Sequence, residues 1–168
     1  PTVAPSTIHT SETFFIFNKI IQKEVDFVQD NQSISGKGVL RGMHYQTSPL
    51  DQGKLVRCTS GSVFDVIIDL RKSSDTYSYW AGIKLDSQEN YQLWIPSGFA
   101  HGFLSLEFNT VFQYKVTNFY SKEHERSLNW KDTKINVKWP EINQKFIISK
   151  KDSEAPSFES LESIDAFF

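Results

Sequence analysis

From Lys54 to Thr117 the chain is a succession of short apolar or alternating runs, each cut off by a turn sequence. This rhythm limits the possible folds more than any other feature. Lys54-Leu-Val-Arg-Cys-Thr59 alternates loosely and ends at Ser60-Gly61; Val63 to Leu70 follows. Successive side chains of a strand point to opposite faces, so Phe64, Val66, Ile68 and Leu70 share one wholly apolar face that requires a core. The other face carries Val63, Asp65, Ile67 and Asp69, and its two carboxylates predict water or a polar cavity. Arg71 to Asp75 is a polar turn, and Thr76 to Leu85 reads as a strand rich in Tyr and Trp. Gln92 to Ile95 is stopped by Pro96-Ser-Gly98, and Phe99–Leu106 and Thr110–Thr117 flank Glu107-Phe-Asn109. Turns about every 8–12 residues predict a sandwich or small barrel. Helical patterning is confined to a short, weak stretch from Ser157 to Phe168, so the chain reads as one all-β domain over 1–168 with irregular termini.

Length and charge narrow the function. The 168 residues suffice for one domain with a sizeable core. Eighteen basic against twenty acidic residues give a net charge of −2. That excludes a nucleic-acid or anionic-membrane surface built on bulk charge, while leaving room for a local basic pocket. No apolar run approaches the roughly 18 residues of a membrane-spanning helix, and no leader-like segment is visible. The single cysteine, Cys58, permits neither an intramolecular disulfide nor a thiolate zinc cluster. A soluble domain of a reducing compartment, the cytoplasm, is therefore expected. Aromatic residues make up 14% of the chain, with 14 phenylalanines. Most suit a β core, whereas a flat ligand such as a nucleotide base needs only one or two.

Several polar residues stand where chemistry could be done. His44 lies in Leu40-Arg41-Gly42-Met43-His44-Tyr45-Gln46, with Arg41 three residues before it and Lys54 ten after. His101 follows the stiff Pro96-Ser-Gly98 loop, and Tyr114 and Tyr120 flank another polar edge. Together these suggest an acid/base pocket, with Asp65 and Asp69 candidates for its wall. Pro96-x-Gly98-x-x-His101 also resembles the second metal-binding motif of the cupin barrels. The first motif fails, because Gln46 stands where the second histidine of His44-x-His belongs. Two imidazoles without a carboxylate at the right spacing make a poor transition-metal site, so no metal is expected. No phosphate-cradling Gly-rich loop and no Gly-x-Ser-x-Gly elbow occurs.

A longer series of motifs carries a family resemblance. It runs through Gln29-Asp30-Asn31, Gly38-Val-Leu-Arg-Gly-Met-His44-Tyr-Gln46, Gln52-Gly-Lys54-Leu-Val and Phe64-Asp-Val-Ile-Ile-Asp-Leu-Arg71. It continues with Trp94-Ile-Pro-Ser-Gly-Phe-Ala-His-Gly-Phe103, Tyr114-Lys-x-Thr-x-x-Tyr120, Glu125 and Trp139-Pro140. From about Phe14 to Phe158 the chain resembles the dTDP-4-dehydrorhamnose 3,5-epimerase family, metal-independent members of the cupin, or jelly-roll, barrels. The resemblance implies an all-β cupin barrel with short peripheral helices. It implies a nucleotide-diphospho-4-keto-6-deoxyhexose as substrate, epimerised at C3, C5 or both through an enolate, with no cofactor. It further implies His44 as base, Asp152 as the carboxylate orienting it, Lys54 beside the O4 oxyanion and Tyr114 as proton donor on the opposite face. Arg41 and His101 match pocket positions, Tyr120 matches the ring stacked on the nucleobase, and Gln29, Asp30, Asn31, Glu125 and Lys150 match further binding positions. Lys150 and Glu125 read equally well as solvated charges, and Gln29 to Asn31 as a polar turn.

The departures cluster near the N-terminus. Family members carry an Arg-Gly-x-Phe-x-x-Glu-like segment that reaches the nucleotide of a neighbouring subunit. Here Glu12-Thr-Phe-Phe-Ile-Phe17 puts Glu12 near the arginine and Phe17 near the glutamate. The histidine after Gln-Asp-Asn is Gln32, and the nearby arginine is Ile34. Loss of a phosphate-pairing arginine weakens diphosphate binding. Members are homodimers that exchange strands, which implies residues 1–31 as the exchanged piece, with Phe14, Phe15 and Phe17 in the interface. The competing functions are a single-carbon epimerase or ketoisomerase on a related sugar nucleotide, and a non-catalytic sugar-nucleotide-binding barrel.

Overall fold

The computed structural model describes residues 17–21 and 24–168. Among the described residues the short runs become ten strands: β1 (Gln29–Ser35), β2 (Val39–Gln46), β3 (Lys54–Ser60), β4 (Ser62–Asp69), β5 (Trp80–Asp86), β6 (Gln92–Ile95), β7 (Phe99–Ser105), β8 (Thr110–Val116), β9 (Glu125–Ser127) and β10 (Ile147–Ile148). Two short helices follow, α1 (Lys150–Ser153) and α2 (Phe158–Ser163). One sheet has the order β1-β8-β3-β6; the other runs β10-β2-β7-β4-β5, with β9 also paired to β2. Face to face, they form the jelly-roll sandwich the sequence predicts. Among the described residues no helix is long and apolar enough to cross a membrane.

Two cores hold this arrangement. Between the sheets, Val56, Cys58, Ile95 and Phe112 of one sheet meet Val63, Leu85 and Phe103 of the other. A second core lies on the outer face of the larger sheet, where Met43, Tyr45, Val66, Ile68 and Leu70 pack against Leu128, Ile135, Phe158 and Leu161. The apolar face of β4 therefore points away from the sandwich interior and is covered by the C-terminal segment. Its polar face, with Asp65 and Asp69, looks inward. The final residues, expected to be an irregular tail, are part of this structure. Phe168 N donates to Leu70 O at 3.1 Å, and Lys72 N donates to Phe168 O at 2.7 Å.

Three local differences from the sequence reading have physical causes. β1, whose Gln29 to Asn31 read equally well as a polar turn, carries no strand signal because it is an edge strand with one face in solvent and lacks apolar alternation. β2 carries no clear strand pattern in the sequence because Arg41 and Gly42 interrupt it. β5 begins at Trp80 rather than Thr76 because Asp69 organises the preceding turn. The buried Asp69 carboxylate accepts from Arg71 N and Nε, both at 2.9 Å, and from Arg71 Nη2 at 2.7 Å. It also accepts from Ser74 Oγ at 2.6 Å and Thr76 Oγ1 at 2.7 Å. Burial alone would raise its pKa, but these bonds hold it well below the usual carboxylate range.

If the C-terminal segment is integral to the fold, Phe158→Ala should cost about 3–5 kcal/mol, as for other buried phenylalanines. Urea unfolding measures this; a loss below about 1 kcal/mol would show a detachable tail.

Candidate active site

The site is organised around an irregularity in β2. In a regular strand Arg41 and His44, three residues apart, would face opposite sides. The register against β7 runs Leu40 to Leu104 and Arg41 to Phe103, then shifts, so that His44 lies opposite His101. This bulge turns Arg41 and His44 toward the same interior, while Met43 and Tyr45 enter the outer core. Glycine makes it possible. Gly42 has φ +124, and a Cβ there would sit 2.5 Å from Gly102 Cα; one on Gly102 would sit 2.7 Å from Met43 Sδ.

The cavity between the sheets is about 600 Å³. Arg41, His44 and His101 line it from the larger sheet, and Lys54 and Tyr114 from the smaller. Each imidazole has its own carboxylate. His44 Nε2 is 2.6 Å from Asp152 Oδ1, and His101 Nε2 is 2.8 Å from Asp65 Oδ2. Asp152 comes from α1, 108 residues along the chain, because β10 runs parallel to the start of β2 and delivers the helix to the cavity wall. Burial alone would raise the Asp152 carboxyl. The His44 ring, the Gly42 N–H at 3.4 Å and the Ser149 cap together hold it below its ordinary value, so it stays ionised. His44 keeps 32% of its side-chain surface exposed, whereas His101 keeps 8%. Of the two, His44 is the one open to the cavity.

The opposite wall complements it. Lys54 Nζ is buried and donates across the cavity to His44 O at 3.2 Å. Burial lowers its pKa to about 8, against the upward pull of Asp65 and Glu125. Burial likewise pushes the Tyr114 phenol up, with Arg41 opposing and Glu125 adding to the rise, so the hydroxyl keeps its proton near neutrality. At the mouth, Tyr120 OH donates to Glu125 Oε2 at 2.9 Å, and Lys151 Nζ lies 2.5 Å from Glu125 Oε1.

Eight of the sequence-predicted residues thus line one cavity: Arg41, His44, Lys54, His101, Tyr114, Tyr120, Glu125 and Asp152. Four do not. Lys150 is 87% exposed and lies 3.9 Å from Glu154, while its neighbour Lys151 lines the cavity. Successive helix residues project about 100° apart, and the pair Lys150-Lys151 cannot be told apart without that geometry. Asp30 pairs with Lys115 at 2.7 Å on the outer face of the smaller sheet. Gln29 and Asn31 bond each other at 2.7 Å, and Gln29 Oε1 accepts from Tyr120 N at 3.3 Å. Gln32 accepts from Gln113 at 2.7 Å, and Ile34 is exposed. Phe17 packs on Trp94 and Phe27 of its own chain. Glu12, Phe14 and Phe15 lie outside the described residues. Asp65 has a sequence signal in the alternation of β4, and Gln46 has one in the interrupted His-x-His motif; Lys151 has none that separates it from Lys150. Among the described residues no three His, Cys, Asp or Glu side chains form a metal-ligating group.

The chain is similar to known proteins in sequence and in fold. A family model described as dTDP-4-dehydrorhamnose 3,5-epimerase matches residues 10–160. The dTDP-4-dehydrorhamnose 3,5-epimerase of Shigella flexneri is 51% identical over 143 residues, 85% of this chain and 78% of that protein. The fold superposes on an rmlC epimerase of Mycobacterium tuberculosis with a TM-score of 0.89 at 35% identity, covering 92% of this chain and 78% of that one. It superposes also on a dTDP-6-deoxy-D-glucose-3,5-epimerase of Legionella pneumophila, solved in complex with dTDP-4-keto-L-rhamnose, with a TM-score of 0.85 at 38% identity over 96% of this chain and 82% of that one. A bulged jelly roll with this cavity, matched along nearly its whole length, belongs to the dTDP-4-dehydrorhamnose 3,5-epimerase family.

Proposed function

We propose that the protein epimerises a dTDP-linked 4-keto-6-deoxyhexose at C3 and C5 by proton abstraction and return. The observation that carries this reading is the opposition of an imidazole–carboxylate pair on one cavity wall to a protonated phenol and a buried lysine on the other. A C4 ketone acidifies the hydrogens at C3 and C5. His44 takes such a proton, and Asp152 stabilises the imidazolium that results. The electron pair moves to O4, where Lys54 offers a fixed ammonium to the developing oxyanion. Tyr114 then delivers a proton to the same carbon from the opposite face, inverting it. A pure binder gains nothing from an acid and a base on opposite walls.

Substrate binding divides by chemistry. Tyr120 supports the nucleobase by stacking, and Arg41 and Lys151 supply cations for the diphosphate, with Lys151 rather than the expected Lys150 lining the cavity. His101, held by Asp65, bears on the sugar ring. A homodimer belongs to the same reading. Exposed Ile34 and its half-buried cross-strand neighbour Val111 put apolar surface on the outer face of the smaller sheet, suited to a second copy. The free buried thiol of Cys58 fits a cytoplasmic location.

In deuterated water, the 4-keto sugar nucleotide should acquire deuterium at C3 and C5; label at one carbon alone identifies a single-carbon epimerase, and none with any nucleotide form refutes catalysis. His44→Ala should abolish exchange yet still bind thymidine diphosphate, and persisting exchange would remove His44 as the base. The Lys54 cation is lost as pH rises through about 8, so kcat/KM should fall above that value. A profile level to pH 10 would contradict the role of Lys54. Sedimentation equilibrium should give twice the mass of one chain, and a monomer would remove the dimer from this reading.

A further inference from the structure

The structure contains a polar device that the chemistry above does not use. Gln46 follows His44 by two residues on the cavity side of β2 and is only 3% exposed. Its amide is committed wholly to main chain. Nε2 donates to Leu50 O at 2.6 Å and to Phe119 O at 3.2 Å, while Oε1 accepts from Ser121 N at 2.7 Å. Two of these bonds grip the peptide groups on either side of Tyr120. Across the ladder Gln46 pairs with Glu125 of β9, whose carboxylate accepts from Tyr120 OH at 2.9 Å. One cross-strand pair therefore holds the ring at both ends, its backbone through Gln46 and its hydroxyl through Glu125.

Tyr120, so held, is 56% exposed. Fixing an exposed side chain opposes its conformational entropy and gains little burial in return. Such a network makes physical sense where a ligand meets the ring and finds it already in place, because the ordering cost is then not charged against binding. The location is informative as well. Gln46 occupies the position at which a metal-binding cupin carries the second imidazole of His-x-His, and its amide faces loop backbone instead.

We propose that Gln46 is a positioning residue that presets Tyr120 for the nucleobase of a nucleoside diphosphate and couples this platform to the strand bearing His44. The inference rests on the stacking role given to Tyr120 above. Gln46→Glu keeps the acceptor for Ser121 N and loses both donors; Gln46→Met loses all three bonds.

Titration with thymidine diphosphate tests the proposal. Tyr120→Ala should raise Kd about 5- to 150-fold, the equivalent of a base–aromatic stack. Gln46→Glu and Gln46→Met should raise it about two- to tenfold, the cost of ordering one side chain on binding, with the loss falling in KM more than in kcat. Combining either with Tyr120→Ala should add nothing, since Gln46 acts only through that ring. An unaltered Kd in Tyr120→Ala overturns the stacking role and this proposal with it. A normal loss in Tyr120→Ala, together with Gln46 variants that are silent or additive, overturns the positioning role alone. A measurement on the unaltered protein keeps the question answerable should the variants misfold. The Ser121 amide, bonded to the Gln46 side chain, should be protected from hydrogen exchange without ligand; exchange at the rate of an open loop overturns the proposal.

Discussion

Two glycines on neighbouring strands, Gly42 and Gly102, approach so closely that a Cβ on either would collide with the other strand's backbone or with Met43. That contact permits the β2 bulge, and much of the molecule follows from it. Before the bulge, Leu40 and Arg41 pair with Leu104 and Phe103; after it, His44 faces His101. Gly42 N then points at Asp152, and Met43 exchanges backbone hydrogen bonds with Leu128 at 3.2 and 2.8 Å. One local change of register thus joins the cavity, the C-terminal helix and the outer core.

The cavity places two histidines side by side and gives them different surroundings. His101 is buried, stacked on Phe112 and bonded to a fully buried aspartate, an arrangement that holds a ring still. His44 is partly open and bonded to an aspartate whose charge is maintained by backbone and cap. The same residue type is thus held still in one place and left partly open to the cavity in the other. Lys54 reinforces this division. Its ammonium loses solvation on burial, and its hydrogen bond to the His44 carbonyl together with the charges of Asp65 and Glu125 compensates only in part. A ligand oxyanion would be a better partner than any the free cavity offers.

The C-terminal third does more than cover apolar surface. Phe158 and Leu161 close the outer core behind β2 and β4, and β10 extends the larger sheet by pairing parallel to β2. Between these anchors sits α1, too short to be stable alone and held by the Ser149 cap and its attachments. Asp152 reaches His44 because both flanks of its short helix are fixed. Loosening of the outer core would therefore displace the Asp152 carboxylate as well.

Alternation and turn chemistry in the sequence determined that the chain is an all-β sandwich, since side-chain direction along a strand follows from position alone. They determined most strand limits after Lys54 and the amphipathic halves of β4. The spaced motifs also brought eight cavity residues to notice, among them His44, Lys54, Tyr114 and Asp152. The tertiary structure decided what local pattern cannot express. It placed the inward face of β4 on the polar side, because the C-terminal segment supplies a second apolar layer outside. It put Arg41 and His44 on one side despite their odd spacing, because a bulge adds a residue that a period of two does not count. It chose Lys151 over Lys150 through the phase of a four-residue helix, and it turned Gln29 and Gln46 toward the backbone around Tyr120. Each of these depends on which distant segment lies alongside, and that is settled only when the chain packs.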